Sequence, residues 1–210
     1  MSYRITGTGS CIPDIAKKNS DFLKNKFLDT DGGKFQSSNS EIIDKFNSIT
    51  GICERRYAPD EINCSDLAAV AAGLAINDSK LDQETLDYII VAHNTGDISC
   101  SSGQVDTLPS VASRVKAKLK IKNPNCVAYD IICGCPGWVE GIIQAKSFIK
   151  SGMAEKCLVV GCDTLSRILD ENDRDSMIYA DGSGAIILES DNSYNGCLLY
   201  TSDAADDGSR

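Results

Sequence analysis

Three apolar runs set the terms on which this chain can fold. Asp87 to Ala92 (DYIIVA), Cys126 to Ile132 (CVAYDII) and Lys156 to Cys162 (KCLVVGC) are nearly continuous in hydrophobic side chains. A strand with one face in water alternates polar and apolar residues, whereas a strand covered on both faces does not. Helical segments lie between and before these runs. Asp66 to Ile76 (DLAAVAAGLAI) is a helix with Ser65 as its expected N-cap; Ser110 to Leu119 is expected to begin at Pro109; Pro136 to Lys150 follows a strand directly. Buried strands alternating with helices of this length predict an α/β domain, a parallel or mixed sheet with helices on both faces. Tyr3 to Thr8 is a further strand, expected to end in a turn at Gly7 to Ser10, and Tyr179 to Glu189 is a Gly-rich turn followed by a strand. Residues 14–40 and 93–107 are polar and read as loop with short helix and as loop, and Glu41 to Phe46 as a brief helix. The pattern stops near Asn195, so residues 1–195 are expected to form one domain and 196–210 a non-native or unstructured tail.

Composition excludes several classes. A net charge of −9 disfavours nucleic acid and anionic membrane surfaces as partners. One segment runs against it: Arg114, Lys116, Lys118, Lys120 and Lys122, read either as a solvated helix end or as a docking patch for an anionic carrier or cofactor. No run of eighteen apolar residues occurs, so no transmembrane helix is expected. The start, MSYRITGTGSCIPD, lacks the regions of a secretory signal, which makes the cytoplasm the expected location. In that compartment Cys126, Cys157 and Cys162, set in apolar runs, are expected to be buried thiols rather than disulfides. No metal site is expected: there is no CxxC pair, the single histidine is His93, and Cys133-Gly-Cys135 is too tightly spaced for a two-ligand knuckle.

The chemistry concentrates in Asp130 to Trp138 (DIICGCPGW). A strand ends, the chain turns through Cys133 and Gly134, and Cys135 falls immediately before Pro136, the residue preferred at a first helical position. Cys135 is thereby set at the positive end of a helix dipole, a setting that favours thiolate, the nucleophilic form. The free N–H groups of the first turn can hydrogen-bond a developing oxyanion. Trp138, Ile142, Ala145 and Ile149, with Val139 and Ile143 beside them, give an apolar stripe that would bury the helix and set its start at the floor of a cleft. A buried cysteine at any strand–helix junction would share these features.

Four blocks carry a resemblance in order: Gly7 to Ser10 (GTGS), Thr50 to Arg56 (TGICERR), Asp130 to Gly137 around Cys135, and Asp173-Arg174 followed by Asp181 to Ala185 (DGSGA). The run Leu158 to Asp163 (LVVGCD) fits as well. With these, residues 3–190 resemble the N-terminal half of the β-ketoacyl-acyl carrier protein synthase III family of the thiolase superfamily. The resemblance implies a thiolase-like layered mixed sheet with helices on both faces, one half of a two-lobed fold. It implies Cys135 as the residue acylated from a thioester, then a decarboxylative Claisen condensation with malonyl carrier protein in fatty acid or related biosynthesis. Acyl-CoA or an acyl carrier protein thioester would be the donor, no cofactor would be bound permanently, and the full-length protein would be a homodimer. The family's assisting histidine and asparagine lie in its C-terminal half and are not in this chain. His93, in what reads as a variable loop, is not taken as their substitute, and Cys133 is expected to line the turn. The family's CoA-binding tryptophan and arginine before the Thr-Gly-Ile block fall at Lys45 and Ile49 here, while Arg174 matches its adenine-side arginine or is a surface residue of the charged loop DENDRDS. Tyr179 closes an acyl pocket or belongs to the core. The competing readings are a polyketide-type condensing enzyme, a non-catalytic partner subunit of the same fold, and a thiol redox protein using Cys133 and Cys135.

Overall fold

The structure is a computed structural model that describes residues 2–191. The tail expected at 196–210 lies outside the described residues.

The framework is a five-stranded mixed sheet. Its strands are β1 (Tyr3–Cys11), β4 (Tyr88–His93), β7 (Val127–Ile132), β8 (Lys156–Thr164) and β9 (Asp181–Ser190), in the order β1-β9-β8-β4-β7. The three continuous apolar runs are β4, β7 and β8, which pair parallel, while β9 runs antiparallel to both β8 and β1. Parallel neighbours need crossovers, and helices supply them: α3 (Val111–Lys118) between β4 and β7, and α4 (Gly137–Ser151) between β7 and β8. Two small antiparallel pairs sit outside this sheet, β2 (Ile15–Lys18) with β3 (Glu54–Tyr57), and β5 (Asp97–Ile98) with β6 (Val105–Asp106). All four of these strands fall in stretches read as loop or left unassigned. Strands of two to four residues are too short to show periodicity.

Helices cover both faces. On one side, α2 (Cys64–Ser79) and α3 pack a core of Ala68, Ala71, Val111 and Val115 against Ile89, Val91, Leu158 and Ile187. On the other, α4 packs Ala145 and Ile149 against Ile90, Val159 and Leu188. A third cluster, Phe22, Phe27, Ile42, Ile43 and Met177, ties α1 (Asn39–Thr50) to the polar N-terminal segment.

Several boundaries differ from expectation for local reasons. Gly7 to Ser10 is not a turn; β1 continues through it to Cys11. The glycines serve close approach instead, since a Cβ on Gly9 would lie 2.2 Å from the Ala71 carbonyl oxygen of α2. Gly182 and Gly184 likewise lie within β9. The α2 helix starts earlier, with Asn63 at its N-cap, and Ser65 turns its hydroxyl to Asp97 instead. Ser110, not Pro109, caps α3 by accepting from the Ser113 N–H at 3.1 Å. Pro136 is the N-cap of α4 and Gly137 its first helical residue, while Gly152, in the left-handed region at φ 76°, ends that helix.

Candidate active site

Cys135 sits on the short connection from β7 to α4, at the C-terminal edge of the parallel strands. Gly134 takes φ +64°, a conformation that glycine adopts without strain, and its carbonyl accepts the Gly137 N–H at 2.9 Å. This tight turn holds the thiol at the start of α4. Pro136 has no N–H to offer, and the Glu140 N–H bonds the Pro136 carbonyl at 3.0 Å. Among the described residues, the first-turn N–H groups of Trp138 and Val139 have no backbone partner. They are free to meet an anion beside the sulfur.

The expected cleft floor is not formed within the described residues. Cys133, Cys135 and Pro136 are exposed, as are Ile132 (67%) and Val139 (52%). The apolar stripe of α4 is narrower than its sequence suggests. Ala145 and Ile149 are buried and Trp138 half-buried, but Val139 and Ile143 face outward. Gly137 and Gly141 are buried in their place and let α4 lie close on the sheet; a Cβ on Gly141 would meet the Val159 side chain at 2.9 Å.

Two carboxylates fix the surroundings, one beside the turn and one at the start of α3. Asp163, near the end of β8, accepts the backbone N–H of Asn94 at 2.9 Å and its side-chain amide at 2.7 Å. The amide oxygen of Asn94 then stands 3.5 Å from where a Gly134 Cβ would be, against the turn itself. Burial pushes the Asp163 carboxyl up, only partly offset by the Asn94 hydrogen bonds. Asp130, in β7, reaches across to α3 and accepts the N–H groups of Val111 at 2.7 Å and Ala112 at 2.8 Å. Burial raises its carboxyl, but the His93 contact and these two N–H groups outweigh it and leave it below the ordinary carboxylate range.

His93 is the chief correction among the polar residues. It is no loop residue but the last position of β4, 1% exposed, paired in register with Ile132. Its Nε2 lies 3.0 Å from Asp130 Oδ2, within ion-pair distance though out of hydrogen-bond alignment, and among the described residues its Nδ1 has no hydrogen-bond partner. The strand extends one residue beyond the apolar run, to the His93–Ile132 pair of the ladder. No sequence signal links His93 to Asp130; only strand register does.

In the basic segment Lys118, Lys120 and Lys122 are exposed, as a solvated helix end would be. Arg114 pairs with buried Asp97 and exposed Asp106, both at 2.8 Å, Lys116 bonds the carbonyls of Asn123 and Cys126, and Lys118 meets Asp66 at 2.6 Å. Arg167, unremarked in the sequence, clamps the segment before α2, donating to the carbonyls of Pro59, Asp60 and Ile62 as well as to Asn63 Oδ1 and the Ile98 carbonyl. Asp181 joins the same region by accepting from Ala58 and Ser166.

Arg174 opens a 3-10 turn (Arg174–Ile178) on the rim of a cavity of about 650 Å³. Lys45, Ile49, Thr50 and Tyr179 line the same cavity; Cys135 does not. Folding therefore gathers Arg174 with the two positions at which the resemblance placed CoA-binding residues. Phe35 covers the guanidinium, with its ring centre 4.8 Å from Cζ, and Glu41 and Asp175 also line the cavity. Among the described residues no group of three or more His, Cys, Asp or Glu side chains is placed to hold a metal ion, and no helix is long and apolar enough to cross a membrane.

The family model described as 3-oxoacyl-[acyl-carrier-protein (ACP)] synthase III matches residues 129–208. The β-ketoacyl-[acyl-carrier-protein] synthase III of Neisseria gonorrhoeae is 38% identical over 190 residues, 90% of this chain and 52% of its own length. The crystal structure of 3-oxoacyl-[acyl-carrier-protein] synthase III from Aquifex aeolicus VF5 superposes with a TM-score of 0.72 at 31% identity, over 91% of this chain and 55% of that one. The priming β-ketosynthase of the R1128 polyketide pathway, 21% identical with a TM-score of 0.74 over 90% of this chain and 50% of that one, shares the fold. The chain spans about half the length of the relatives it matches. Its sheet is the mixed, thiolase-like sheet of these proteins, and over about half their length the chain is similar to members of the β-ketoacyl-[acyl-carrier-protein] synthase III family.

Proposed function

We propose that Cys135 is the acyl-carrying nucleophile of a condensing enzyme of which this chain supplies one half. The observation that carries this reading is the exposed thiol on the Gly134 turn, with two unpartnered first-turn N–H groups of α4 beside it. In the first half-reaction the Cys135 sulfur, as thiolate, attacks the carbonyl of an acyl thioester. The donor thiolate leaves and a new thioester forms on Cys135. In the second, a malonyl carrier protein thioester loses carbon dioxide. The carbanion formed attacks the acyl carbonyl, and the Cys135 thiolate is released with a 3-oxoacyl thioester as product. The helix start serves both halves by stabilising charge on the carbonyl oxygen. His93 takes no part: its Nε2 is turned to Asp130 in the core. The groups that assist decarboxylation come from residues outside this chain.

The donor is an acyl-CoA or an acyl carrier protein thioester, and Arg174 is the residue proposed to meet it. Arg174 already stacks on Phe35, so a nucleotide base stacks there only by displacing that ring. The full-length protein is proposed to be a cytoplasmic homodimer. In support, β7 is an edge strand of the sheet, and Val127, Ile132, Val139 and Ile143 are exposed along it and on α4.

Incubation of the full-length protein with acyl-CoA or acyl carrier protein, followed by peptide mass spectrometry, tests the assignment. The acyl mass is expected on the Cys135 peptide, lost in Cys135→Ala and nearly normal in Cys133→Ser. A full-length protein that takes no acyl group on Cys135 from either donor refutes it in favour of a non-catalytic partner subunit. Equal loss in both variants points to the dithiol reading.

A further inference from the structure

Two thiols that the chemistry at Cys135 leaves unused face each other in the core. Cys64 is the first residue of α2 and Cys162 lies near the end of β8, at 0% and 5% exposure. Their sulfurs stand 3.0 Å apart although 98 positions separate them in sequence, and both are free thiols. Cys126 and Cys157 are equally buried, yet among the described residues neither makes a hydrogen bond to another sulfur. The backbones that present the pair are held from both sides. The start of α2 is fixed by Ser65, whose N–H and hydroxyl both bond Asp97 at 2.7 Å. Cys162 sits in an interior strand paired with Ser183 of β9. A disulfide bond is about 2.05 Å long, so closing the gap asks for a movement of about 1 Å shared between two side chains.

We propose that Cys64 and Cys162 are a modification site, joined by a disulfide when the protein meets a peroxide. One thiol sulfur attacks hydrogen peroxide, breaking the O–O bond to give a sulfenic acid and a first water. The second sulfur attacks the first, the S–O bond breaks, and the hydroxyl leaves with the second thiol's proton as another water. Two thiols are oxidised and one peroxide is reduced to two waters. The contact with Cys64, and then burial, hold the Cys162 thiol well up, so this link forms more slowly than the exposed Cys53, Cys100, Cys133 and Cys135 react. The bond staples the start of α2 to β8 one residue before Asp163, which braces Asn94 at the nucleophile turn. It does not depend on the condensing activity.

The test uses the native protein that contains this chain. Exposed thiols are capped with N-ethylmaleimide, the protein is treated with hydrogen peroxide, and it is then denatured in iodoacetamide and digested without reductant. The expected result is a peptide pair joining Cys64 to Cys162, two hydrogens lighter than its parts, with Cys126 and Cys157 recovered as iodoacetamide adducts. In Cys64→Ala the pair vanishes and Cys162 is recovered alkylated; Cys162→Ala gives the reciprocal result. The proposal is overturned if wild-type Cys64 and Cys162 are recovered unlinked, are capped before oxidation, or are joined to other cysteines. The wild-type protein alone decides this, whether or not the variants fold.

Discussion

Removing the Asp130 carboxylate should loosen the first turn of α3 far more than any surface change. Asp130 bonds two first-turn N–H groups, Val111 at 2.7 Å and Ala112 at 2.8 Å, and its side chain is 12% exposed. A hydrogen bond to a charged group contributes about 1.5–3 kcal/mol, so two would sum to about 3–6. Water reaching a helix end recovers part of this, and about 2–4 kcal/mol is the expected cost of Asp130→Ala. Hydrogen exchange of the full-length protein, read on peptides spanning residues 108–116, reports that cost where it falls. At about 1.4 kcal/mol per decade, protection of the Val111 and Ala112 amides should fall roughly 30- to 1,000-fold. Asp130→Asn keeps one acceptor oxygen, and its loss should be on the order of tenfold. Protection in Asp130→Ala within about twofold of wild type would refute the view that this carboxylate anchors α3 to β7.

The same residue gives an acid limb. The Asp130 carboxyl is held below its ordinary value in the fold, so its stabilisation is present above the unfolded value of about 3.9 and lost as pH falls through the folded one; the gap in Tm between wild type and Asp130→Asn should narrow below about pH 4, and a gap independent of pH contradicts the linkage. Gly9→Ala puts a methyl carbon 2.2 Å from the Ala71 carbonyl and should destabilise by about 1–3 kcal/mol or more, seen as a lowered Tm; an unchanged Tm would show that β1 and α2 can part without cost. Arg167→Ala removes the donor to three carbonyls of residues 59–62 and should speed limited proteolysis there, with Arg167→Lys failing to rescue because a single ammonium cannot match the guanidinium fork; full rescue by lysine would reduce the clamp to a point charge.

The sequence by itself determined the parallel strands, the helices between them and the station of Cys135, because each is written locally. Apolar runs mark strands buried on both faces, and a turn glycine followed by proline marks the start of a helix. Resemblance to a known family added the expected role of Cys135 and the expectation that Arg174 meets the donor. Tertiary structure alone decided what register and packing control. It set His93 beside Asp130 across the β4–β7 ladder, turned Gly7 and Gly9 from an expected turn into a contact with α2, and paired Arg114 with buried Asp97 and Lys118 with Asp66 at the surface. It also brought Cys64 against Cys162. Such contacts join residues far apart in the chain through side chains that carry no periodicity, so no local pattern records them.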